Sequence, residues 1–420
     1  MKSLLLIVLL ASTASAALNK TETAITTRAG ELAPDALSFL ESLVNQNSGT
    51  KNLKGVRKVG GLLRSELDAL GFTTRWADMP KSMRRAGHLI ATRNGSNGKR
   101  ILLIGHMDTV FKKSDPFQRL RKEKKFVIGP GVNDMKGGLA VMIYALKAMH
   151  ASNALKGTQI SIILHGDEED SGDPLSDSRA DLIALAKKTD AALGFEYAVD
   201  TLNKATIARR GSSSWKLVVE GKRGHSSRVF SEKFGAGAIY GISDILSRFY
   251  NTLSSERYLT FNPGQIIGGT KAKLNGKVSG KNNVIAQTAS VSGDLRALSV
   301  KQRENAKNRM RAIAAKSLPG TKATLSFHDS YPPMSPSTGN KNLLKTLSRA
   351  SEDIGYGPVE ALDPGKRGAA DTSFAAPYTA AIDGLGLLGD GAHSEKERIE
   401  FAAFEKALKR SALFLYRLTR

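Results

Sequence analysis

Histidines and carboxylates in this sequence fall just past short, uninterrupted apolar runs. Residues 101–104 lead into Gly-His-Met-Asp-Thr-Val at 105–110, and residues 160–164 lead into His-Gly-Asp-Glu-Glu at 165–169. The 193–195 run leads into Glu196, and the 385–388 run leads into Gly-Asp-Gly-Ala-His-Ser at 389–394. Runs of this kind read as strands buried on both faces. In open α/β sheets, ligands bind outside the carboxyl ends of the strands, so four strands are expected to bring metal-type donors to one edge.

The spacing within each group adds detail. His106 and Asp108 are two apart, so on extended backbone they face the same way; one can bind metal while the other fixes its orientation. Glu168 and Glu169 are neighbours and point apart, so one can bind metal while the other reaches a water as general base. Asp134 sits at the tip of a glycine-rich turn, 129–138, that opens a helix, and its two oxygens can serve two cations. The chain has no cysteine, so a metal would be held by His, Asp and Glu alone. Taken singly, each residue has an ordinary reading. A lone His106 is a core histidine, a lone Asp134 is a helix N-cap, and Glu168 and Glu169 form a solvated acidic loop. Asp167, Asp170 and Asp173 are read as such a loop.

In order and spacing, His-Met-Asp-Thr-Val at 106–110, Gly-Val-Asn-Asp-Met-Lys-Gly-Gly at 131–138, Gly-Asp-Glu-Glu at 166–169 and Gly-Ala-His-Ser at 391–394 resemble the M20 family of metallopeptidases, the glutamate carboxypeptidase type in particular. The resemblance implies two Zn²⁺ ions per chain, with Co²⁺ or Mn²⁺ as substitutes. It implies that His106 and Glu196 hold one ion, that Glu169 and His393 hold the other, and that Asp134 bridges them. Glu168 would be the general base and Asp108 the carboxylate that orients His106. It also implies that His225, in Gly-Lys-Arg-Gly-His-Ser, contacts substrate, often from the partner subunit of a dimer, and that Asn283 and Arg296 bind the substrate carboxylate. Without the resemblance, His225 reads as a turn cap and Arg296 equally as an edge-strand surface residue. The loop Gly-Lys-Arg-Gly-Ala-Ala-Asp at 365–371 is more basic than the family pattern. The implied activity is carboxypeptidase-type hydrolysis of an amide beside a C-terminal amino acid. The same scaffold also serves N-acyl-amino-acid deacylases and dipeptidases. The alternative from another class is an inactive binding protein.

The elements that must position these residues are legible in outline. The 420 residues are too many for one core, and two domains are expected. Strand and helix patterns alternate up to about residue 210, which argues for an α/β layer. From 211 to 328 the order becomes β-α-β-β-α-β, the ferredoxin-like arrangement, expected as an inserted lid and dimerisation domain. The α/β pattern resumes over 329–420, with a helix near 340–354, a strand at 384–388 and a final helix from about 399. The fold class is thus a zinc-peptidase-like α/β domain with a mixed sheet, interrupted by an α+β lid.

The amino-terminal segment, residues 1–16, reads as a signal peptide: Lys2, an apolar stretch over 4–10, then Ala-Ser-Ala at 14–16. A periplasmic or secreted protein beginning near Ala17 follows, with residues to about 33 loosely ordered. The net charge of +23 is scattered, with no basic stripe interleaved with aromatics, so neither nucleic acid nor membrane is expected as a partner. Attraction of anionic substrates, peptides or N-acyl amino acids, is the better use of the excess. No Gly-x-Ser-x-Gly elbow of a serine hydrolase is present.

Overall fold

The computed structural model describes residues 17–420 apart from 273 and 275, so residues 1–16, read above as a signal peptide, lie outside the described residues. A six-stranded mixed sheet forms the centre of the larger part. In spatial order its strands are Thr73–Ala77, His88–Arg93, Thr158–His165, Asn97–His106, Ala191–Gly194 and Ala380–Ile382. The last four of these run parallel, and the first two pair antiparallel at one edge. His106 and His165 are directly in register, so the two ligand-bearing loops leave the sheet side by side.

Alternation along the central strands makes two cores. Ile101, Leu103, Ile160, Ile162 and Leu193 face one side, against the helices Ala33–Val44, Leu53–Ala69, Lys136–Ala151 and Phe401–Leu418. Leu102, Ile104, Ile163 and Ala192 face the other side, against Leu182, Ala186 and Phe374. The Lys136–Ala151 helix is buried along almost its whole length. It can lie so close to the strand ends because Gly138 has no side chain: a Cβ there would sit 1.9 Å from the Phe195 carbonyl oxygen.

A second, four-stranded antiparallel sheet is formed by Thr260–Gly269, Thr288–Ala297, Gly211–Gly221 and Thr321–Asp329. The helices Ala238–Leu253 and Val300–Ala314 cover one face around Trp215, Leu217, Val291 and Met310. Strand order and helix placement are those of the β-α-β-β-α-β reading. No helix among the described residues is long and apolar enough to cross a membrane.

Two expectations need correction. The segment up to residue 33 is not loose: Lys20–Glu31 is a helix. A reciprocal cap between Asn19 and Glu22 starts it, and the Glu22 carboxylate also accepts from Arg417 at 2.7 Å. Ile25 and Ala29 are fully buried. The polar composition of this segment hid a narrow apolar stripe. Residues 384–388 are not a strand either. The strand is Ala380–Ile382, and Gly384 then turns the chain at φ 78°. Beyond the turn the backbone still tracks its neighbour, with Leu385 and Gly386 N–H groups donating to Gly194 and Glu196 carbonyls. Ile25→Ala should therefore lower unfolding free energy by about 2–5 kcal/mol, read from a urea titration; no shift in the midpoint would mean the segment is docked too weakly to matter.

Candidate metal centre

The donors anticipated from the sequence meet in space. Asp134 Oδ1 lies 3.2 Å from His106 Nε2, and its Oδ2 lies 3.2 Å from His393 Nε2. Glu196 Oε1 is 3.6 Å from His106 Nε2, and Glu169 Oε2 is 3.3 Å from His393 Nε2. The five residues thus divide into two halves that share Asp134, one oxygen to each.

These separations suit a pair of cations. Two donors each about 2.0–2.2 Å from a tetrahedral zinc stand about 3.3–3.6 Å apart, which is the spacing seen in both halves. His106, Asp134 and Glu169 alone place their ligand atoms within 4.8 Å of one another. Glu169 Oε1 is buried without a hydrogen-bond partner among the described residues. Charge points the same way. Burial disfavours an imidazolium at His106, but its contacts with Asp108 and Asp134 outweigh burial and raise its pKa well above the usual value. Hydrogen bonds to Asp134 and Glu169 push His393 up to about 10. Burial, followed by the nearby Asp134, pushes Glu196 up to about 7. A cluster that draws protons onto two histidines and a carboxylate is short of positive charge, and the donor set fits two divalent ions.

The ligands are held from behind. Asp108 is fully buried, and its carboxylate accepts the Thr50 hydroxyl at 2.7 Å and the Glu168 and Glu169 N–H groups at 3.0 and 3.1 Å. His106 Nδ1 is 3.0 Å from the Asp108 backbone carbonyl and 3.5 Å from its carboxylate. Both the carbonyl and the carboxylate of Asp108 thus face the imidazole, and the carboxylate also sets the loop that presents both glutamates. Glu168 is clamped through its main chain, its carbonyl accepting from the Tyr331 hydroxyl at 3.2 Å. Its own carboxylate makes no hydrogen bond among the described residues, and burial raises its pKa well above the usual range. Burial thus favours the protonated form, as a group that must take up and hold a proton requires.

Several supports carried no sequence signal. Glu397 is fully buried and accepts the N–H groups of Gly131, Asn133 and Asp134 at 2.9, 2.9 and 2.8 Å, fixing the loop that carries the bridge. Arg179 joins Asp167 and Asp371, each at 2.7 Å, and reaches Tyr331 at 2.9 Å. Asp167 is therefore not part of a solvated acidic loop; it is a buried counter-ion, drawn in by Arg179. Arg209 ties Asp383 to the Gly368 carbonyl.

The lid residues divide. A Cβ on Gly368 would lie 3.4 Å from Arg296 Nη1, so Arg296 meets the basic 365–371 loop. Arg210 donates to the Gly365 carbonyl at 3.2 Å, and Arg367 lies over Tyr197 at 4.3 Å and 3.9 Å from Glu196. His225 and Asn283 are elsewhere. Arg296 pairs with Ser212 and Thr288 with Glu220, a run of roughly 26 Å at about 3.3 Å per residue. His225 and Asn283 lie beyond that far end, paired with each other's segments and exposed at His225.

Known proteins share this architecture. The profile described as "Peptidase family M20/M25/M40" matches residues 102–418. Carboxypeptidase G2 of Pseudomonas sp. is 29% identical over 387 residues, covering 90% of this chain and 88% of that protein. The fold matches the crystal structure of aminopeptidase PepT from Bacillus cereus with a TM-score of 0.75 at 18% identity, covering 92% of this chain and 99% of that one. It matches the Bacillus subtilis YXEP protein, a dinuclear metal-binding peptidase from the M20 family, with a TM-score of 0.65 at 15% identity, covering 93% and 99%.

Glu397→Ala should weaken metal affinity by about 10–100-fold, measured by competition with a chromogenic chelator. Unchanged affinity would show that the Gly131–Asp134 loop keeps its shape unaided.

Proposed function

This chain belongs to peptidase family M20/M25/M40, a family of metal-dependent hydrolases, and from that footing we propose that it is an exported two-zinc carboxypeptidase cutting the amide bond beside a C-terminal amino acid. The observation that carries the proposal is the shared Asp134, with Glu168 left free beside it. Two zinc ions bound there would acidify water and polarise the scissile carbonyl. His106 and Glu196 would hold one, Glu169 and His393 the other. Glu168 takes the proton of the attacking water and returns it to the leaving amine. Asp108 keeps Glu168 and Glu169 at fixed positions through their N–H groups, so no reorganisation is needed during the reaction.

Substrate recognition follows from the arginines. Arg296, with its planar fork, takes the C-terminal carboxylate, and Arg367 and Lys366 favour an acidic C-terminal side chain. His225 and Asn283 lie too far along the lid to join Arg296 on one small substrate, so they would serve the centre of a second copy in a homodimer. Export rests on the 1–16 segment, with cleavage before Ala17; an intact amino terminus on protein recovered from outside the cytoplasm would remove that part. An N-acyl-amino-acid deacylase or dipeptidase differs only in what precedes the scissile bond, and the carboxypeptidase reading is favoured by carboxypeptidase G2, a relative that spans nearly the whole chain.

Glu168→Gln should keep its metal and fold while losing on the order of 10²-fold or more in turnover, whereas Glu169→Gln should bind less than the wild-type complement by metal analysis. A Glu168→Gln protein as active as wild type removes the base assignment. Chelation should abolish hydrolysis and zinc should restore it. Peptides ending in Glu should be cleaved faster than the same peptides ending in Leu, and equal rates would dispose of the acidic preference.

A further inference from the structure

On the Glu169 side of the centre lies a cavity of about 430 Å³ that the reaction described above does not use. Gly49, Thr50, Thr109 and Val110 line it. These segments are stitched together. The Thr50 N–H donates to the Thr109 carbonyl at 3.1 Å, the Thr109 N–H to the Ser48 carbonyl at 3.0 Å, and Asn47 Nδ2 to the Phe111 carbonyl at 3.1 Å. A Cβ at Gly49 would fall 2.2 Å from the Phe111 oxygen, so this position tolerates no side chain. The same stretch holds Asp108 through Thr50, so cavity and centre are parts of one rigid assembly.

The charges around the cavity do not balance. Lys51, Lys112 and Lys113 line it, together with Glu169 and Asp170. Asp170 is already met twice, by Lys51 at 2.7 Å and by Arg85 at 2.6 Å. Glu169 turns its other oxygen to His393. The ammonium groups of Lys112 and Lys113 have no acidic partner among the described residues, although the Lys112 backbone is fixed by Asp115, Gln118 and Asn47. Two cations therefore line a preformed cavity that is also lined by Glu169 of the candidate metal centre.

The cavity also lies on the side opposite the arginines. Arg296 and Arg210 meet the 365–368 loop, whose Arg367 lies 3.9 Å from Glu196, and Glu196 and Glu169 belong to opposite halves of the centre across Asp134. A substrate whose C-terminal carboxylate sits at the arginines would extend its acyl end past Glu169. We propose that this cavity is an acyl-side subsite for a carboxylate carried on the part of the substrate that precedes the scissile bond. The carboxylate belongs either to a dicarboxylic acyl group or to an acidic residue. The inference rests on the hydrolase reading above and adds a second anionic requirement at the other end of the substrate.

The test compares kcat/KM of the zinc-loaded enzyme in two arms sharing a C-terminal glutamate: N-succinyl- against N-butyryl-glutamate, and acetyl-Glu-Glu against acetyl-Gln-Glu. A preference of about tenfold or more for the charged member is expected in at least one arm, the scale of a hydrogen bond to a charged group. The succinyl arm identifies an acyl group and the peptide arm an acidic residue. In the Lys112→Ala/Lys113→Ala protein that preference should collapse toward unity, while Lys345→Ala, an exposed lysine on the distant 338–353 helix, should keep it. Equal kcat/KM in both arms, or a preference the double variant retains, overturns the subsite. Calorimetric binding of the same pairs to zinc-loaded Glu168→Gln separates the two claims. Preferential binding of the charged member with no turnover by wild type overturns the hydrolytic reading alone. Turnover with no preference overturns the subsite alone.

Discussion

The arrangement depends on one carboxylate placed between two imidazoles. Asp134 offers one oxygen to His106 and the other to His393, each at 3.2 Å. A buried carboxylate is stable only when compensated, and here both neighbours are drawn toward the charged form by the same field that would bind cations. Everything around the bridge restrains it. Glu397 takes the N–H groups on the Asp134 loop, Asp108 takes those of Glu168 and Glu169, and Gly138 lets the following helix press against the strand end.

Around that bridge the acids are sorted by what they touch. Asp108, Asp167 and Glu397 spend their oxygens on backbone amides, hydroxyls and a guanidinium, so they build shape. Glu169 and Glu196 face the histidines. Glu168 is half-buried, and its carboxylate makes no hydrogen bond among the described residues. The distinction comes from hydrogen bonding rather than from residue type, which is why six acids within a few loops can do three kinds of work.

How much of this could be read beforehand follows the range of the interactions. The central strands were legible because residues 101–104 and 160–164 are continuous apolar runs, a local signature of double burial. His106, Glu169 and Glu196 stood out as candidates because each follows such a run, whereas Asp134 was marked by its glycine-rich turn and His393 by Gly-Ala-His-Ser. The 20–31 helix was missed because only Ile25 and Ala29 mark its buried face within a polar segment. The strand expected at 384–388 failed on Gly384, whose positive φ turns a chain that its composition would keep extended. Glu397, Arg179 and Asp371 left no trace, since their partners lie up to hundreds of residues away and no periodicity announces a buried ion pair. The paired halves of the centre were visible as types and order, but the sharing of Asp108 between two glutamate amides was a matter of geometry alone.

The order of the donors along the polypeptide has its own consequence. His106, Asp134, Glu169 and Glu196 all precede the lid, while His393 and the buttressing Glu397 arrive only after it. A ribosome making this chain exposes four donors long before the fifth exists, and the loop bearing Asp134 lacks its brace throughout that interval. The candidate centre of this hydrolase is therefore completed only after the lid has been translated, and a product truncated before His393 would lack both that histidine and the Glu397 brace.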